Sequence, residues 1–135
     1  MTPNIYLNFP GTAAEALDFY AAIFGTEVTH RQRMAEIPDM DCPPGVEEKI
    51  MHARLQIGAM TLMVSDHIEA FAGPFPGYGG FSIQLGAETP EAAQALFDRL
   101  SDGGEVRMAM APTFWARAFG MCTDRFGVPW MVNCD

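Results

Sequence analysis

The chain is poor in positive charge and in paired cysteines, and it has no long apolar run. Eight Lys and Arg stand against seventeen Asp and Glu in 135 residues, a net charge of −9. Affinity for nucleic acid or anionic lipid comes largely from cations that neutralise phosphate, so neither is an expected partner. The three cysteines, Cys42, Cys122 and Cys134, form no CxxC pair and no even framework, which is the usage of a reduced, cytoplasmic protein. No apolar stretch approaches the ~20 residues that cross a bilayer. The opening Met1-Thr2-Pro3-Asn4 carries no basic segment ahead of an apolar one, so a signal peptide is not expected. A glycine-rich turn between strand and helix, the usual cradle for a nucleotide-type cofactor, is also missing. The two turns at issue read Pro10-Gly11-Thr12 and Ala87-Glu88-Thr89, and no cofactor is expected.

What is present is a pattern written twice. Ile5, Leu7 and Phe9 alternate with Tyr6 and Asn8, the period of a half-buried strand. Thr12 and Glu15 have the spacing of a capping box at a helix start. Ala16, Leu17, Tyr20, Ile23 and Phe24 then recur at helical spacing up to Gly25. About 76 residues later, Phe81, Ile83 and Leu85 alternate with Ser82 and Gln84, and Thr89-Pro90 opens a second helix striped by Ala93, Leu96, Phe97 and Leu100. Each helix leads through a Glu-Val step, Glu27-Val28 or Glu105-Val106, into further strands.

Strands are predicted near 4–9, 27–35, 49–57, 60–65, 80–86, 105–110, 116–123 and 128–133. His52-Ala53-Arg54 pairs in this reading with Trp115-Ala116-Arg117, and Leu62-Met63 with Trp130-Met131. The fold class is α+β: one domain, 1–135, made of βαβββ repeats 1–72 and 80–135 whose sheets surround a central cavity. The proline-rich segment 37–48 reads as a loop outside that cavity, and the Pro/Gly-rich segment 72–80 as the linker between the repeats.

Several strings resemble the vicinal-oxygen-chelate superfamily of glyoxalase I, extradiol dioxygenases and bleomycin-resistance proteins. The helix carries Phe19-Tyr20 and Phe24-Gly25, a feature shared across the superfamily. Tyr6-Leu7-Asn8-Phe9, Lys49-Ile50-Met51-His52-Ala53, Phe114-Trp115 and Asp124-Arg125-Phe126-Gly127-Val128-Pro129-Trp130-Met131 are similar to its PhnB-like branch, named 3-demethylubiquinone-9 3-methyltransferase-like. One departure is Ala116, where that branch usually has glycine. The resemblance implies helices on one side of each sheet and a ligand pocket on the other, with Tyr6, Asn8, Ser82 and Gln84 facing the pocket. It also implies a homodimer. The methyltransferase name is not matched by any S-adenosylmethionine-type loop.

The superfamily's enzymes hold a divalent metal through His or Glu at four strand positions, which map here to about Tyr6, Met63, Ser82 and Met131. Phenol, hydroxyl and two thioethers are poor ligands for such ions, so no metal site is expected. His52, with Arg54 and Gln56 on the same strand face, is the candidate general base or donor. The expected pocket is therefore Tyr6, Asn8, His52, Met63, Ser82, Gln84, Trp115 and Met131. Trp130 and the methionines on strands are expected to fill core. Asp66-His67 reads as a turn, His30 as solvent-facing, and Cys42, among acidic residues, as inert. Arg54 and Arg117 are expected to pair with surface carboxylates rather than to hold an anionic ligand group, the alternative role.

The expected function is metal-free binding of a small, largely apolar or aromatic molecule, with sequestration of the bleomycin-resistance type as one form. A metal-dependent lyase, isomerase or dioxygenase is the alternative, and a structural dimer a third. Whether a reaction is catalysed is left open by the residues.

Overall fold

The computed structural model describes residues 1–135. The chain forms two compact units, Met1–Phe75 and Pro76–Asp135. The first contains β1 (Ile5–Phe9), α1 (Ala13–Phe24), β2 (Val28–Arg33), β3 (Ile50–Ile57), β4 (Met60–Asp66) and the short α2 (Glu69–Ala72). The second contains β5 (Ile83–Gly86), α3 (Pro90–Ser101), β6 (Glu105–Ala111), β7 (Ala118–Thr123) and β8 (Pro129–Cys134). All eight predicted strands form. No helix is long and apolar enough to cross a membrane.

Each unit holds one open, four-stranded mixed sheet, in the orders β1-β4-β3-β2 and β5-β8-β7-β6. The first-named pair in each is parallel and the rest antiparallel. The fold class is thus α+β with an internal βαβββ repeat. The repeat extends to an irregularity. Between Thr29↔Arg54 and Gln32↔His52, three steps on β2 oppose two on β3; between Met108↔Met121 and Ala111↔Phe119, three steps on β6 oppose two on β7. An inserted residue of this kind is a β-bulge, which bends an edge strand and re-aims its side chains. In the first unit the bulge carries His30 at φ 54°.

Alternation decides which face of each sheet is dry. Leu7, Phe9, Ala53, Leu55, Leu62 and Val64 are buried together with Ala13, Ala16, Leu17 and Tyr20 of α1. Ile83, Val132 and the wholly buried Trp130 are core residues of the second unit, as are Ala93, Phe97 and Leu100 of α3. Each Leu, Ile, Val or Phe among them contributes about 1.5–3 kcal/mol when fully removed from water. Trp130 is core, as expected. The strand methionines are not: of Met51, Met60, Met63, Met108, Met110, Met121 and Met131, none is in the buried core, where Met34 is the only methionine. Phe81 also departs from expectation, since it precedes β5 and is exposed.

The helix starts differ from each other. At α3, Thr89 Oγ1 accepts from the Ala92 amide at 3.1 Å and Pro90 occupies the first turn, as its sequence predicts. At α1, Thr12 makes no side-chain cap. Asp66, at the end of β4, accepts from the Ala13 amide at 2.9 Å and from the Ile50 amide at 2.8 Å. The Thr12–Glu15 capping box is therefore not formed. A buried carboxylate reaches the helix end from a strand far along the chain, and it satisfies two donors where a threonine would satisfy one.

Candidate functional site

Strand register assembles one row of side chains on the face of the first sheet that α1 does not cover. Across β1, β4, β3 and β2 it reads Tyr6, Met63, Arg54, Thr29. Asn8 and Ser65 pair in the adjacent row. Ser65 Oγ donates to Asn8 Oδ1 at 2.7 Å and Thr61 Oγ1 donates to Gln56 Oε1 at 3.0 Å, which holds four polar residues of this face in fixed rotamers.

His52 links the ends of the Tyr6–Arg54 row. Its Nε2 lies 3.1 Å from Arg54 Nε, and its Nδ1 lies 3.1 Å from the Tyr6 hydroxyl. The two rings are 5.7 Å apart between centroids. Guanidinium nitrogen is only ever a donor, so Nε2 must be the acceptor and the imidazole must be neutral. Burial pushes the His52 pKa down, and the positive charges of Arg54 and His30 push it further the same way. At pH 7 the ring is then uncharged, as the hydrogen bond from Arg54 requires.

Beyond Asn8 and Ser65 the face runs into a pocket of about 390 Å³. Its apolar wall includes Met34, Ile37, Met40, Met51, Ile68 and Phe71. Ile37 and Met40 belong to the proline-rich segment that the sequence places outside any pocket. No periodic pattern marks that segment, so nothing in the sequence pointed to it. His67 also lines this pocket, with Nε2 at 2.6 Å from the Gly73 carbonyl and its ring edge-on to Phe75. Asp66 beside it is structural, and the two do not form a dyad. On the β2 side, Arg54 lines a second pocket of about 530 Å³ with Thr29, His30, Gln56 and Glu27.

In the second unit the equivalent row is Gln84, Met131, Met121, Met108 across β5, β8, β7 and β6. Two sequence-level pairings shift in consequence. Tyr6 pairs with Met63 as Gln84 pairs with Met131, so the repeat partner of Tyr6 is Gln84 rather than Ser82. Arg54 pairs with Met63 as Met121 pairs with Met131, so His52-Ala53-Arg54 corresponds to Phe119-Gly120-Met121 and not to Trp115-Ala116-Arg117. Ser82 precedes β5 and lines a pocket of about 360 Å³ with Tyr78, Met121 and Trp130. Trp115 lies in the loop before β7, 55% exposed, edge-on to Phe114 and Phe119. Gln84 Nε2 donates to Asn133 Oδ1.

Neither arginine pairs with a surface carboxylate. Arg54 donates to His52, while Arg117 donates to the backbone carbonyls of Asp135 and Glu88. Ion pairs of the chain include Arg31–Asp18, Arg33 with Glu36 and Glu48, and Arg125–Asp102.

By strand register, the four positions at which the resemblance would place a metal are Tyr6, Met63, Gln84 and Met131. Phenol, amide and thioether do not fit Zn, Ni, Mn, Fe or Mg, which take imidazole, carboxylate or thiolate. No group of three or more His, Cys, Asp or Glu side chains is arranged to hold a metal ion.

The most family-specific string, residues 124–131, turns out to be architecture. Asp124, 3% exposed, accepts from the amides of Phe126 at 2.9 Å and Val128 at 3.0 Å through Oδ1, and from Trp130 Nε1 at 2.8 Å through Oδ2. It ties the β7–β8 turn to the core tryptophan.

Comparison with known proteins agrees with this geometry. Residues 2–133 match the family described as 3-demethylubiquinone-9 3-methyltransferase. Protein YjdN of Escherichia coli is 34% identical over 137 residues, covering 95% of this chain and 91% of its own. The crystal structure of protein PA1353 from Pseudomonas aeruginosa superposes with a TM-score of 0.88 at 42% identity, covering 99% of this chain and 98% of that one. A PhnB protein of Bacillus cereus, at 24% identity, shares the fold with a TM-score of 0.82 over the whole of both chains. Matched over nearly its whole length, the chain belongs to the family described as 3-demethylubiquinone-9 3-methyltransferase.

Proposed function

We propose that this protein binds a small, largely apolar or aromatic molecule on the open face of the first sheet, without a metal ion. The observation that carries the reading is the 390 Å³ pocket, walled by methionines, Ile37, Ile68 and Phe71 and floored by the Asn8–Ser65 pair. Small-molecule sites are typically apolar concavities with a few placed polar groups. Thioethers adapt their shape and contact aromatic rings favourably. The methyltransferase name is not part of the reading, because no strand-to-helix turn is built for the methyl donor. Asn8 lines that pocket, and Tyr6, His52 and Met63 lie on the same face of the first sheet.

The uncharged fluorophore N-phenyl-1-naphthylamine is the direct test. Saturable binding with enhanced fluorescence is expected, weakened about tenfold by Phe71→Ala as apolar contact area is lost. Absence of saturable binding would count against the reading, as would stoichiometric Zn, Ni, Mn or Fe in the purified protein.

A cytoplasmic homodimer completes the proposal. Three unpaired cysteines suit a reducing compartment. Strand β6 is a sheet edge whose first five residues are all exposed, Val106 and Met108 among them, and Phe114 nearby in sequence is 97% exposed. An uncovered apolar edge invites pairing with a second copy. Light scattering at micromolar concentration should give the mass of two chains, and a monomer would remove the dimer from the reading.

A further inference from the structure

The hydrogen-bond chain Arg54–His52–Tyr6 has a direction, and its direction identifies a ligand chemistry. Arg54 Nε–H donates to His52 Nε2, so the single imidazole proton sits on Nδ1. His52 Nδ1–H therefore donates to the Tyr6 oxygen, 3.1 Å away. Having accepted there, the Tyr6 hydroxyl has its own proton left to donate. Tyr6 is 48% exposed, and its only hydrogen bond within the protein is the one to His52. The outward end of the chain is thus an O–H whose oxygen already accepts a bond, a state that strengthens it as a donor.

Charge points the same way. The chain carries −9 overall, yet Arg54 makes no ion pair. One nitrogen of its guanidinium is occupied by His52, and the group opens into the 530 Å³ pocket where Glu27 is the only carboxylate lining. Tyr6 and Arg54 flank Met63 in one row of the sheet. The face therefore offers two donors on either side of a polarisable thioether floor.

We propose that this face selects ligands in which an anionic group with at least two oxygens is attached to an apolar or aromatic body, with one oxygen received by Tyr6, another by Arg54, and the body lying over Met63 and toward the Met- and Phe-lined pocket. His52 is a positioning residue: it holds the Tyr6 oxygen and conveys the Arg54 charge toward it without touching the ligand. The proposal rests on the small-molecule reading above and adds the sign and atom type that the ligand must present.

Two fluorophores with the same ring system separate the two ideas. N-phenyl-1-naphthylamine is neutral, and 1-anilinonaphthalene-8-sulfonate carries one anionic group. The sulfonate should bind at least tenfold more tightly, and Tyr6→Phe and Arg54→Met should each remove most of that preference by weakening the sulfonate far more than the neutral probe. Retained neutral binding shows that the variants are folded. If the neutral probe fails to bind, the small-molecule reading fails and this proposal with it. If it binds but the sulfonate gains nothing, or both variants weaken both probes alike, only this proposal is overturned. Nitrogen-15 NMR gives a readout independent of any ligand. His52 should be the Nδ1-protonated tautomer at neutral pH and should lose that bias in Arg54→Met; a proton on Nε2 of the native protein would overturn the relay.

Discussion

Asp124→Ala is expected to destabilise the protein by about 3–5 kcal/mol, since a buried acceptor of three hydrogen bonds disappears and charge-assisted bonds contribute about 1.5–3 kcal/mol each before water and relaxation recover part of the loss. The carboxylate serves two backbone amides with one oxygen and the Trp130 indole with the other. Alanine offers neither oxygen, and the site is too closed for the turn to find substitutes nearby. In thermal unfolding the loss corresponds to roughly 10–20 °C in a domain of this size. Asp124→Asn separates the geometry from the charge. An amide keeps one oxygen but turns an NH2 toward a donor, so either the two amides or the indole must face another donor. Its stability should fall between wild type and Asp124→Ala. Urea unfolding of the three proteins checks the order; a loss under 1 kcal/mol for the alanine variant would show that Asp124 does not organise the turn.

Gly104→Ala should be as damaging, for a reason of space rather than of hydrogen bonding. A Cβ at this position would run into the carbonyl oxygen of Thr123 and come within 2.7 Å of the Asp124 carbonyl carbon and 2.9 Å of its Cα. All of these are backbone atoms of the strand end and turn, so relief demands that the β6–β7 pairing shift. A loss of about 3 kcal/mol or more is expected, the upper end of what overpacking produces. Gly120→Ala meets the Met110 side chain and Phe97 instead. Because a thioether can swing aside, that variant should lose only about 1–2 kcal/mol. Gly79→Ala has nothing within 4 Å and should be neutral within about 0.5 kcal/mol. Because the Gly104 clash falls on Asp124 itself, substitutions at 104 and 124 should not add. Equal stability of the Gly104 and Gly79 variants would refute the close approach.

The candidate site was partly legible for the same reason that these two positions were not. Tyr6, Asn8, His52 and Met63 were placed on one pocket face by alternation and family resemblance, and strand pairing puts them on one face of one sheet. For Arg54 the sequence favours a surface ion pair over an anionic ligand group, because charge counts carry no information on which side chain lies alongside. Similarity of short strings aligns Ser82 with Tyr6 and Trp115 with His52, whereas hydrogen-bonded register, which defines the repeat, aligns Gln84 and Phe119 with them. The apolar wall from Ile37 and Met40 had no signal at all, since an irregular proline-rich segment carries no period to read.

By itself the sequence determined the eight strands, the two long helices, the buried side of β1, the Thr89 cap and the αL glycine at position 25. These depend on residues within a turn or two of each other, where backbone sterics and local hydrogen bonds decide. Tertiary structure alone decided that Asp66 caps α1 from 53 residues away, that Tyr6 meets His52 across 46, and that His52 is held neutral by Arg54. Those contacts exist only after strands pair in one register, and a register is a property of the whole sheet's packing rather than of any window of residues.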